Sequence, residues 1–94
     1  MTREQGNPEE RERLCRAIAA VATPEEAEAL LADILSPREV AAAAQRLEVA
    51  RLLAEGLSYV EVSSRIGASS TTVSRVSKCL NGEGGGYRIV LGRL

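Results

Sequence analysis

The 94-residue chain contains no His, no Trp and no Phe, and its only aromatics are Tyr59 and Tyr87. Without His, acid–base catalysis by an imidazole is excluded. Two Cys, far apart at Cys15 and Cys79, are too few soft ligands for a zinc or iron–sulfur site, so no metal is expected. Outside any pairing motif they read as packing residues and reduced thiols. No apolar run approaches the roughly 18–20 residues of a membrane span. Residues 1–8 are polar and do not resemble a signal peptide, so the expected location is the cytoplasm. A core must be built from Leu, Val, Ile and Ala. In so short a chain such a core is thin, which favours oligomerisation.

Hydrophobic residues make up 45% and charged residues 27%, a globular mixture rather than a disordered one. The net charge of −1 is unevenly spread. Residues 1–36 carry −4, residues 37–56 are neutral and residues 57–94 carry +3. That asymmetry points to one anion-facing end.

The punctuation is helical throughout. Pro8 opens a stretch in which Leu14, Cys15, Ile18, Val21 and Ala22 recur at helical spacing. Its Glu9-Glu10-Arg11-Glu12-Arg13 run reads as a solvated face with supporting ion pairs. Thr23-Pro24-Glu25-Glu26 is a capping signal: Thr accepts from orphan amides, Pro fits the first turn, and Glu26 reaches back. Ala27, Leu30, Leu31, Ile34 and Leu35 then share a face. The device recurs at Ser36-Pro37-Arg38-Glu39, before a helix that Gly56 ends, and at Ser58-Tyr59-Val60-Glu61, before a short helix that ends at Gly67. A further helix starts near Ser69 or Ser70 and runs to about Leu80. Asn81 to Gly86 is a glycine-rich break, and residues 87–94 fit either a closing helix or a strand-like tail. With no hairpin signal and no repeat, the fold class is all-α. The expected organisation is a flexible segment 1–7 and a single helical domain 8–94.

In the 37–55 helix, Val40, Ala43, Leu47, Ala50 and Ala54 lie along one face, while Val49, Leu52 and Leu53 extend round another. A helix apolar on two sides is packed on both. Ala41 to Ala44 permits close approach of a second helix, or reflects only the helix propensity of alanine.

Residues 59–80 have the layout of a helix-turn-helix. Val62 and Ile66 point inward from the first helix, Val73 and Val76 from the second, and Gly67 supplies the turn. Ser63 sits where the two helices meet. What remains outward is Ser69, Ser70, Thr71, Thr72, Ser74, Arg75 and Lys78. Hydroxyls at the front of a helix suit base edges, and free amides there suit phosphate. Arg65, Arg75 and Lys78 can neutralise phosphates. The competing reading is an αα-hairpin packed for stability, with Ser and Thr only capping it.

Several runs together are similar to the YerC/YecD family of Trp-repressor-like proteins. They are Gln45-Arg46-Leu47-Glu48-Val49-Ala50, the stretch Ile66 to Val76 (IGASSTTVSRV), Cys79-Leu80-Asn81, Gly86-Tyr87 and Leu91-Gly92-Arg93-Leu94. The resemblance covers about residues 25–94 and implies an all-helical, intertwined homodimer that regulates transcription by binding duplex DNA. In the Trp repressor two arginines sandwich a tryptophan corepressor, and their positions match Arg46 and Arg75. The glycine after the second arginine is Val76 here, and a serine that meets the ligand is Cys79. Both changes count against tryptophan, so Arg46, Arg75, Val76 and Cys79 form at most a pocket for another ligand, and no cofactor is expected. Basic residues on the first helix of the motif are replaced by Val60 and Ser63, with Arg65 nearby.

The expected function is therefore a dimeric, sequence-specific duplex DNA-binding regulator. Ser70, Thr71 and Ser74 are the candidates for base edges, and Thr72, Arg75, Arg46 and Lys78 for phosphate. The alternative is a protein-interaction module that docks on another regulator or a polymerase subunit. An enzyme ranks last, because Gly84-Gly85-Gly86 lacks the lysine of a phosphate loop and no catalytic set is present.

Overall fold

The computed structural model describes residues 6–94, so the flexible segment expected at 1–7 falls, for residues 1–5, outside the described residues. The described residues form six helices and no strand: α1 (Pro8–Ala20), α2 (Pro24–Ile34), α3 (Pro37–Ala54), α4 (Tyr59–Ile66), α5 (Ser70–Leu80) and α6 (Gly86–Leu91). They fall into two compact units, the first ending at Pro37 and the second running from Arg38 to Leu94.

In the first unit each helix opens on a proline behind a polar cap. Asn7 Oδ1 accepts from the amides of Glu9 (2.8 Å) and Glu10 (3.2 Å). Thr23 Oγ1 accepts from the Glu26 amide at 3.1 Å. The Glu26 carboxylate reaches back one residue further than a capping box requires, to the Ala22 amide at 2.9 Å. Neither α1 nor α2 has a buried residue. Leu14, Ile18, Leu31 and Ile34 are 41%, 57%, 41% and 52% exposed, so among the described residues of this unit their apolar stripes stay largely open.

The second unit holds the core. Val49, Ala50 and Leu52 from α3, Val62 from α4, Ala68 from the turn, and Val73 and Val76 from α5 form one buried cluster. Leu53, Leu57, Ile66, Tyr87 and Leu91 pack against it. Only the last part of α3 is buried, and Leu47 stays open at 38% exposure. The helix ends in a Schellman turn. Leu57 N–H donates to Leu52 O (3.2 Å) and Gly56 N–H to Leu53 O (3.0 Å), while Gly56 takes a φ of 97°. Leu57 thereby folds back on the core.

The tail resolves the open question at residues 87–94: Gly86–Leu91 is helical. Six residues make little helix alone, and the packing of Tyr87 and Leu91 on the core holds it in place. Cys15 and Cys79, read as packing residues, are instead exposed free thiols. On α5 the buried positions are Val73, Val76, Ser77 and Leu80, and position 79 falls off that stripe.

Candidate nucleic-acid interface

The interface is built from α4, the turn at Gly67 and α5. Ser58 and Glu61 form a complete capping box at the start of α4: Ser58 Oγ accepts from the Glu61 amide (3.2 Å), and Glu61 accepts from the Ser58 amide (3.0 Å). The hydrogen bond from the Ser58 amide to its carboxylate, together with the Ser58 hydroxyl, holds the Glu61 carboxyl below its ordinary range, with a smaller contribution from Arg65.

Gly67 ends α4 at φ 77° and donates its N–H to Ser63 O at 2.8 Å. The Ser63 hydroxyl donates to Ala68 O at 2.6 Å, tying the turn to the helix before it. Serine is therefore more than a small filler at this crossing, because it satisfies a carbonyl that the turn leaves open.

Ser69 caps α5: its Oγ accepts from the Thr72 amide at 3.1 Å and lies 3.0 Å from Thr72 Oγ1. The two hydroxyls thus partner each other at the helix front. Ser70, Thr71, Arg75 and Lys78 are exposed on α5, Thr72 and Ser74 are half-buried, and Arg65 is exposed in the last turn of α4. Arg46 is half-buried on α3. Among the described residues, Arg46, Arg75 and Lys78 have no ion pair. Arg51, by contrast, is engaged by Glu48 and by Glu55 (3.3 Å). Its hydrogen bond to Glu48 lowers that carboxyl and raises the guanidinium.

A polar chain that sequence patterning did not single out locks α5 to its neighbours. Tyr59 O–H on α4 donates to Ser77 Oγ on α5. Asn81 Nδ2 donates to Ser77 O (2.9 Å) and Oγ (3.3 Å), and Arg88 Nη2 on α6 donates to Asn81 Oδ1 (3.4 Å). Ser77 is only 6% exposed, so its hydroxyl requires these partners. The spacing 73, 76, 77, 80 was the available signal for Ser77.

The four residues considered for a ligand pocket do not share one environment. Val76 is 1% exposed within the core cluster, Arg75 and Cys79 are exposed, and Arg46 is half-buried. Cys79 lines a cleft with Gly82, Gly84, Gly85, Gly86 and Tyr87. Among the described residues no helix is long and apolar enough to cross a membrane, and no three His, Cys, Asp or Glu side chains are grouped to hold a metal.

Known proteins place this architecture. The family model described as Trp repressor protein matches residues 9–94. The chain is 38% identical over 85 residues to the uncharacterised protein YerC of Bacillus subtilis (strain 168), a match covering 90% of this chain and 82% of that protein. A TrpR-like protein from Eubacterium eligens ATCC 27750 superposes with a TM-score of 0.86 at 32% identity, covering 96% of this chain and 93% of that one. A candidate Trp repressor from Staphylococcus aureus also gives 0.86, at 29% identity, covering 99% and 93%. A family match across nearly the whole length, carried by an all-helical chain with the helix-turn-helix just described, makes this protein a member of the Trp repressor family, alongside YerC.

Proposed function

We propose that this protein is a sequence-specific transcriptional regulator that binds duplex DNA as a homodimer. The observation that carries this reading is the two-sided character of α5. Val73, Val76, Ser77 and Leu80 are buried, while Ser70, Thr71, Arg75 and Lys78 face outward, and among the described residues no ion pair occupies the cations. Such a helix presents short hydroxyls to base edges at its front and cations to phosphates behind. The TrpR-like architecture supports the same reading, since its members are DNA-binding regulators and not enzymes.

The homodimer is supported by the uncovered apolar stripes of α1 and α2 and by Leu47 on α3. A second copy is the cover with matching chemistry, and two-fold symmetry then sets two half-sites about one helical turn (34–36 Å) apart. Val76 and Cys79 support DNA binding without a tryptophan corepressor, and the proposed site of action is the cytoplasm.

The test is selection of bound fragments from random duplex DNA, followed by affinity measurement across a salt series. A recurring, roughly palindromic sequence is expected, with affinity falling log-linearly as salt rises. Failure to retain any duplex, together with capture of a protein partner, favours the interaction-module reading.

A further inference from the structure

Beside the front of α5 lies a cleft of about 370 Å³, lined by Tyr59, Val60, Ser63, Ser64, Ser70 and Val73. Its walls carry no charge of either sign. Val73 is fully buried, Val60 is 79% exposed and Tyr59 is 51% exposed. The Tyr59 ring is held by its bond to Ser77, so this apolar wall is fixed rather than free to swing. Ser70 belongs both to the cleft and to the hydroxyl row of α5, so the cleft is continuous with the surface assigned to base edges.

A wall without cations has nothing to neutralise a phosphate. The apolar group that a major groove offers is the 5-methyl of thymine, and small aliphatic side chains are the groups that recognise it. We infer that Val60, backed by Tyr59, is a specificity-determining residue that seats the 5-methyl group of one thymine in each half-site, beside Ser70. The inference rests on the DNA-binding reading and deepens it. At this surface α4 contributes sequence information through an apolar contact, rather than affinity through charge.

The experiment replaces each thymine of the selected duplex, one at a time, by deoxyuridine, which lacks only the methyl group. At one thymine per half-site the loss of the methyl is expected to weaken binding about fourfold, the free energy of one buried methyl-sized group. Val60→Ser, which puts a polar hydroxyl where the aliphatic methyls stood, should bind thymine and deoxyuridine equally at that position while keeping the wild-type salt dependence. Because Val60 is so exposed, this variant is expected to fold as the parent does, which circular dichroism verifies. Equal affinity for thymine and deoxyuridine at every position overturns the inference and leaves DNA binding standing. So does a Val60→Ser protein that still discriminates the two bases. Failure of the parent protein to bind any duplex overturns the DNA-binding reading, and this inference with it.

Discussion

The phenol of Tyr59 on α4 donates a hydrogen bond to the buried hydroxyl of Ser77 on α5, joining the two helices of the helix-turn-helix through a contact that spans 18 residues of sequence. Asn81 and Arg88 extend it to α6. The outward row of α5 is thereby held from both sides by polar groups as well as by the aliphatic core.

Tyr59→Phe removes the donor and leaves the Ser77 hydroxyl with Asn81 alone. The expected cost is about 1 kcal/mol, the net worth of one intramolecular hydrogen bond. Urea denaturation at constant m-value measures it. An unchanged midpoint would show that the bond contributes nothing to the packing of α4 on α5.

Gly67→Ala tests the turn. A Cβ there would meet no atom within 4 Å, so crowding plays no part, but the backbone sits at φ +77°. An L-residue in that region costs roughly 1–2 kcal/mol. Thermal unfolding should show a corresponding drop, whereas Ala at Gly84, where φ is not left-handed and space is open, should not.

The pH dependence follows from Glu61. Its folded-state pKa is lowered by the Ser58 hydrogen bonds. The capping box therefore contributes fully above the unfolded carboxyl value of about 4.3, and that contribution is lost as pH falls through the lower folded value. Glu61→Gln keeps a side chain able to accept from Ser58 but does not titrate. Stability of the variant should fall less steeply on acidification than that of the parent, and parallel profiles would contradict the assignment.

The corepressor expectation is tested by adding L-tryptophan to the DNA titration. With Val76 inside the core and Cys79 exposed, affinity for the selected duplex is expected to be unchanged. A tryptophan-dependent gain would show that α5 accommodates the indole despite the valine.

Local chemistry made most of the fold legible. Pro8, Pro24 and Pro37 mark the first turns of their helices, and Ser58, Ser69, Gly56 and Gly67 mark caps, because each signal acts within four residues of itself. What stayed hidden depends on distant partners. Ser77 is tolerated inside because Tyr59 and Asn81 satisfy it, and the Tyr59 contact leaves no trace in local spacing. Cys79 is exposed although cysteine is commonly a buried residue type, because helical phase decides: the next position, Leu80, is on the buried stripe. Residues 87–94 are too brief a pattern to distinguish helix from strand, since the packing of Tyr87 and Leu91 sets the closing helix. In the candidate site the hydroxyl and cation row was visible, but the mutual pairing of Ser69 with Thr72 was not.

Contribution of the α5 cations to phosphate binding is read from salt slopes. Arg75→Ala and Lys78→Ala should each reduce the slope of log affinity against log salt by about one, with a similar loss on every duplex tested. A weakened protein with an unchanged slope would remove that residue from the phosphate contacts.

The central claim is that the exposed face of α5 meets the double helix. Its most direct test is an amide NMR titration of the full chain with its selected duplex. The account predicts that the largest shifts fall at Ser70, Thr71, Ser74, Arg75 and Lys78, with Val60 beside them. Shifts confined to α1 and α2, with α5 silent, would contradict it.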